Sequence, residues 1–306
     1  MNSARLRLFI LAGMPRTATT FLYQRFLEHP AIFCPYRKET NFFSVNYDKG
    51  LDWYQGLYDG IADGQIAADV SPAYFLDELT VDHILSFNSK TPIILGVRPA
   101  SEWALSWYTQ VMTYHRGARP SLEEFCTGYA FQISGGEIWQ DFRNGFVSRM
   151  IDHYRQAFGD NLLLYHQSAF RENPLAVVNS IEHFVGVPRY FSPENFRNEV
   201  VNAGTRRNIG IATYLLSREG FVDAIGRVVP RGLVQAARNA YVAMGTSKKA
   251  PPKPSFTAEE IALSKQIFAE DDSWIESLFA DTQIQLGSGG AFEVVGGGRR
   301  DGGSHD

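Results

Sequence analysis

One unit constrains the fold of this chain more than any other: "RLRLFILAGMPRTATTFLYQRFLEHP", residues 5–30. Its first half passes from alternation to a continuous apolar run, the pattern of a strand buried on both faces of a sheet. The run ends at Gly13. Phe21 or Leu22 then recurs with Arg25 and Phe26 at helical spacing, and His29-Pro30 stops the helix. The same order returns twice. "PIILGVR", Pro92 to Arg98, reads as a buried strand. In the helix after it, "ASEWALSWYTQVM", one face carries Trp103, Ser106 or Trp107, and Gln110. "NLLLYH", Asn161 to His166, is a third strand, followed by the helix "PLAVVNSIEHFVGV". Strands alternating with helices dictate an α/β fold with a parallel sheet covered on both sides.

Further helix starts stand at Ser121-x-x-Glu124 and Thr257-x-x-Glu260, both capping boxes, and at Ser192-Pro193. "GTSKKAPPKPS", Gly245 to Ser255, reads as a loop between late helices. The sequence predicts one folded domain over 1–286 and a Gly-rich, disordered tail over 287–306. A length of 306 residues, 44% of them hydrophobic, suits that assignment.

The formal net charge of −4 argues against a chain that coats nucleic acid. Cys34 and Cys126 make neither a disulfide framework nor a metal quartet. The apolar run at the N-terminus is far short of the ~20 residues of a membrane span. It leads directly into the Gly13 loop, so it reads as a first strand and not as a signal peptide, and a cytoplasmic location is expected.

A strand that turns into a helix aims backbone N–H groups and the positive end of the helix dipole at one point. Around Gly13 that point also has the hydroxyls of Thr17, Thr19 and Thr20 and the charge of Arg16. This is a phosphate cradle, but not one for a nucleoside triphosphate. In G-x-x-x-x-G-K-[ST], Ala18 and Thr19 occupy the places of the second Gly and the Lys, and Arg16 lies three residues early. A second anion point is Arg98, at the end of a strand where open α/β sheets bind ligands, with Ser106 eight residues on.

With these residues in view, "GMPRTATTF" resembles the 5′-phosphosulfate loop of the sulfotransferases, and "VRPASEWALSWY" resembles that family's 3′-phosphate motif. "KETNFF" (Lys38 to Phe43), "YDKGLDWY" (Tyr47 to Tyr54) and "ADVSPAYF" (Ala68 to Phe75) are similar to its heparan-type and bacterial carbohydrate branch. The resemblance runs in order from about Leu8 to Phe279 and thins after Arg116. It implies a P-loop-type three-layer fold. It also implies transfer of a sulfuryl group from 3′-phosphoadenosine 5′-phosphosulfate to a hydroxyl or amine of a small-molecule or glycan acceptor, without a metal. The product would be adenosine 3′,5′-bisphosphate.

Under that resemblance Gly13, Pro15, Arg16, Thr17, Ala18, Thr19 and Thr20 hold the 5′-phosphate, and Arg98 with Ser106 holds the 3′-phosphate. Arg16 stabilises the leaving group and Glu39 is the general base. Lys38 either keeps Glu39 ionised or touches an acidic substrate. His29, His115 and His166 are lower-ranked bases, because none stands in the motif of the branch that uses a His.

The chain also departs from the pattern. Val70 stands where the animal heparan enzymes usually place a Lys after the acid, here Asp69, which points away from a highly anionic glycosaminoglycan. "HQSAF" replaces the usual Tyr-Glu-Asp after the third strand. Lys248 and Lys249, like Arg206 and Arg207, either reach the donor or belong to solvated loops. Trp53, Tyr54, Tyr74 and Trp107 are read as core before sugar platform. The competing readings are a P-loop phosphotransferase, which the missing Gly-Lys opposes, and a non-catalytic nucleotide-binding module, which the presence of Arg16 and Glu39 opposes.

Overall fold

A computed structural model describes residues 6–35, 38–114, 119–133, 136–197 and 255–280. Strand β1 (Leu8–Gly13) leads into helix α1 (Thr19–Glu28), followed by a short β2 (Ile32–Phe33), α2 (Gly50–Gly56) and β3 (Ile66–Val70). Then come α3 (Leu79–Asn88), β4 (Ile93–Val97), α4 (Ala100–Tyr114), α5 (Leu122–Thr127) and a hairpin of β5 (Tyr129–Ile133) and β6 (Gly136–Gln140). After α6 (Phe146–Phe158) the chain enters β7 (Leu162–His166), α7 (Gln167–Glu172) and α8 (Pro174–Val185). The last described elements are α9 (Ala258–Ile267) and α10 (Ala269–Ala280).

The central sheet has the order β2-β3-β1-β4-β7, and every pairing in it is parallel. Helices flank it, as the alternation of strands and helices predicts. Every residue of β1, β3 and β4 is buried. That is why β1 and β4 read as unbroken apolar runs. β1 runs on through α1 to β2 on one side, and β4 runs on to β7 on the other. The crevice outside the carboxyl ends of β1 and β4 is therefore the switch point at which open α/β sheets take their ligands.

Both capping boxes form, at Ser121 and at Thr257. The helix start expected at Ser192-Pro193 does not. Those residues make a single turn in which Asn195 Oδ1 accepts from Ser192 N at 2.8 Å and Asn195 Nδ2 donates to Tyr190 O at 2.9 Å. Ser192 O accepts the opening backbone bond from Phe196 N at 2.9 Å, but the turn is not continued into a helix within the described residues. The boundary expected at 286 and the tail over 287–306 lie outside the described residues.

Candidate functional site

The first anion point is built as the β1–α1 connection requires. Gly13 closes β1 because any side chain there would overlap its neighbour: a Cβ would lie 2.7 Å from Phe75 Cβ. Met14 N then donates to Gly96 O of β4 at 2.9 Å, which ties the loop to the adjacent strand. Arg16 and Ala18 both adopt left-handed backbone, with φ of 70° and 67°. Non-glycine residues rarely do so, at a cost of about 1–3 kcal/mol each, and the surrounding bonds hold them there. Tyr165 Oη of β7 donates to Thr17 O at 2.6 Å, and Gln167 Nε2 of α7 donates to Arg16 O at 3.2 Å. Pro15 is buried beneath the turn. No acidic residue stands in the first turn of α1, so its positive end is unopposed there.

Thr17 departs from its expected part. It is fully buried, and its hydroxyl donates inward to Met14 O at 2.7 Å. It shapes the loop from within, and its hydroxyl does not face the crevice. Thr19 is nearly buried at the start of α1, whereas Thr20 is half-exposed. Arg16 is exposed and reaches across to α4. Its Nε donates to Ser106 Oγ at 3.2 Å and its Nη1 to Gln110 Oε1 at 3.1 Å. Ser106 and Gln110 lie four residues apart, one turn of α4, so a single helix face aims this guanidinium.

Arg98 ends β4 at the same sheet edge and is 7% exposed. Its Nη2 donates to Glu102 Oε2 at 2.9 Å. Its Nε is buried with no hydrogen-bond partner among the described residues, so a donor there stands ready for an acceptor. Burial pushes the Arg98 guanidinium below its usual pKa, with Arg171 and Arg16 adding to that effect and Glu102 opposing it. A phosphate fits these residues: it would satisfy the orphaned Nε and offset the clustered positive charge.

Glu39 enters from a third direction. It too is left-handed, at φ 62°, and Asn41 follows at 47°. Four of the five described non-glycine residues with positive φ thus fall in the phosphate loop or the Glu39 loop. Lys38 joins the two, since its Nζ donates to Glu39 Oε1 at 2.7 Å and to Thr20 Oγ1 at 3.3 Å. The Glu39 carboxylate is therefore held one ammonium away from the first turn of α1.

Sequence reasoning missed what fixes the Glu39 loop in place. Asp69, fully buried in β3, accepts from Thr40 Oγ1 (2.8 Å), Ser71 Oγ (2.6 Å), Tyr54 Oη (2.9 Å) and Tyr74 Oη (2.8 Å). Ser71 Oγ in turn accepts from Asn41 N at 3.1 Å, and Glu39 N donates to Val70 O at 3.2 Å. Burial pushes the Asp69 carboxyl above the usual aspartate range, and its four hydroxyl donors oppose that shift. An acid inside an otherwise apolar strand was the available signal. Tyr54 and Tyr74 are core, as expected, and Trp53 and Trp107 pack against it partly buried. Val70 is buried, so its position supplies no cation.

The alternative bases have other work. Both ring nitrogens of buried His29 are engaged, with Pro188 O at 3.2 Å and Ala31 N at 3.1 Å. His166 lies on Ser168 Oγ at 2.7 Å and packs its ring against Phe279. Burial lowers its pKa, reinforced by Arg171 and Arg98 and opposed by Glu102. His115, Arg206, Arg207, Lys248 and Lys249 lie outside the described residues. Among the described residues no group of three or more His, Cys, Asp or Glu side chains is placed to hold a metal ion.

No family model matches the chain. Heparan sulfate glucosamine 3-O-sulfotransferase 3B1 of Homo sapiens is 26% identical over 199 residues, 64% of this chain and 50% of the relative. Heparan sulfate glucosamine 3-O-sulfotransferase 5 of Homo sapiens is 33% identical over 200 residues, covering 61% and 55% respectively. The chain thus spans about half the length of the curated relatives it matches. A sulfotransferase from Alicyclobacillus acidocaldarius shares the fold, with a TM-score of 0.50 and 18% identity over 78% of this chain and 99% of that one. The expected cytoplasmic location is corrected by these relatives, because heparan sulfate 3-O-sulfotransferases are Golgi lumenal enzymes. No described helix is long and apolar enough to cross a membrane.

Proposed function

We propose that this chain, a member of the sulfotransferase family, transfers a sulfuryl group from 3′-phosphoadenosine 5′-phosphosulfate to an acceptor hydroxyl or amine. A glycan or another hydroxylated small molecule is the acceptor, in keeping with the names of its relatives. One observation carries the reading. An exposed Arg16 aimed by Ser106, a buried Arg98 with an unused donor, and a Lys38-linked Glu39 gather around the carboxyl edge of one parallel sheet. A triphosphate hydrolase would want a lysine at position 19, and this loop has threonine there.

The donor supplies the sulfuryl group and a nucleoside bisphosphate that leaves. Residues 13–20 would hold the 5′-phosphate by loop and helix N–H groups, and Arg98 with Ser106 the 3′-phosphate. Arg16 neutralises the charge that builds on the leaving phosphate. Glu39 takes the acceptor's proton as attack proceeds in line. Lys38, bonded to Glu39 and to Thr20, holds that carboxylate in place beside the first turn of α1. No metal is needed in this scheme, since Arg16, Lys38 and Arg98 already supply three positive charges at the site.

The test is transfer from labelled donor to a panel of glycans, lipids and phenols, with wild type and Glu39→Gln compared. Glu39→Gln should lose about 10²–10⁴ in turnover while its dissociation constant for adenosine 3′,5′-bisphosphate stays within about twofold. A Glu39→Gln protein that turns over at the wild-type rate removes Glu39 as the base.

A further inference from the structure

One cation at the crevice belongs to none of the motifs. Arg171, on α7, has its Nη2 3.9 Å from Glu102 Oε2, the same oxygen that Arg98 Nη2 contacts at 2.9 Å. Two guanidinium groups from different elements thus converge on one oxygen. As a surface ion pair the Arg171 contact contributes little, because both of its side chains are more than half exposed, at 61% and 51%. Its position is nonetheless constructed. Arg171 Nη2 donates to Gln167 Oε1 at 3.3 Å, and Gln167 Nε2 donates to Arg16 O of the phosphate loop at 3.2 Å. A single amide therefore ties Arg171 to the loop that places Arg16.

We infer that Arg171 is a further donor-binding residue, which grips the 3′-phosphate of the nucleoside bisphosphate together with Arg98, and that Glu102 holds the place of that phosphate between the two arginines. The inference rests on the donor proposed above. Three observations lead to it. The shared Glu102 oxygen marks a point that both guanidinium groups reach. Arg98 Nε, nine-tenths buried, has no acceptor among the described residues, so the site still lacks one anionic partner. Arg171 and Arg16 also set positive charge beside Arg98, whose pKa is lowered first by burial and further by these two neighbours. Glu102 offsets that charge with one negative charge, where a phosphate monoester brings close to two and three acceptor oxygens. The exposed Glu102 side chain is free to turn to water when the phosphate takes its place.

The experiment is calorimetric titration of wild type, Arg171→Ala and Arg171→Lys with adenosine 3′,5′-bisphosphate and with adenosine 5′-monophosphate. Arg171→Ala should weaken the bisphosphate about tenfold to a hundredfold, the loss expected for one charge-assisted contact. It should leave the monophosphate within about twofold, and Arg171→Lys should recover part of the loss. A general structural role would weaken both ligands alike. If wild type does not prefer the bisphosphate, the donor reading itself falls. If wild type prefers it and Arg171→Ala keeps the same preference, the inference about Arg171 is overturned while the donor reading stands.

Discussion

Asp69 shows how one buried residue fixes a loop, that of Glu39, from within the core. It is a buried carboxylate whose cost of desolvation is met by four hydroxyls, and two of these, Thr40 and Ser71, belong to or hold the Glu39 loop. Removing the Tyr54 hydroxyl leaves the carboxylate one donor short. Tyr54→Phe should therefore destabilise the fold by about 1–3 kcal/mol and lower turnover more than donor affinity. The pH dependence has a definite sign. Burial raises the folded pKa of Asp69 above its unfolded value, so the native state binds this proton more readily. The group's contribution to stability is greatest below the unfolded value and declines as pH rises through the folded one. The Tyr54 hydroxyl stabilises the ionised form more than the neutral one, so the difference between Tyr54→Phe and wild type should widen from about pH 4 to about pH 7. Urea unfolding at the two pH values measures this, and a gap that narrows with rising pH contradicts the assignment.

Between elements, the decisive contact is the meeting of β4, β7 and the phosphate loop at Gly96. A Cβ there would lie 2.6 Å from Thr17 Oγ1 and would also strike the Tyr165 hydroxyl. That hydroxyl is the one donating to Thr17 O, so glycine on one strand lets a tyrosine on the next one hold the loop. Gly96→Ala should displace both partners, cost about 1–3 kcal/mol of stability as overpacking does, and weaken adenosine 3′,5′-bisphosphate by about tenfold or more. Tyr165→Phe should weaken the same ligand by a smaller factor. Because both changes act on one contact, the double variant should lose less than the sum of the two. Thermal unfolding and calorimetry on the four proteins test this, and strictly additive losses would show that the two residues act apart.

Taken as a whole, the molecule reveals in its sequence what its backbone repeats and hides what its side chains assemble. β1, β4 and β7 were legible because a strand buried on both faces is an apolar run. β3 was not, because Asp69 interrupts "IAADV" with the acid that anchors the Glu39 loop. The outer strand β2, two residues long, leaves no period to detect. Arg16, Arg98, Ser106, Lys38 and Glu39 could be proposed from the sequence because each sits in a local motif. Arg171, Gln167 and Tyr165 were not, since their partners lie between 69 and 151 residues away in sequence. The stretch "HQSAF", which reads only as a departure from a pattern, contains the Gln167 that steadies Arg16. This assembly also explains how a chain of net charge −4 can take the anionic donor proposed for it. Its parallel sheet collects Arg16, Arg98 and Arg171 at one edge from three separate connections, with Lys38 beside them, and the acids among them, Glu39 and Glu102, are each paired with one or two of these cations. A triphosphate-binding loop delegates that neutralisation to a bound magnesium ion, whereas in the proposed scheme the chain's own cationic side chains provide it. Turnover should therefore be unchanged, within about 20%, after dialysis against EDTA, and added magnesium should not raise it. Activity that EDTA abolishes and magnesium restores would mean that the arginines do not suffice.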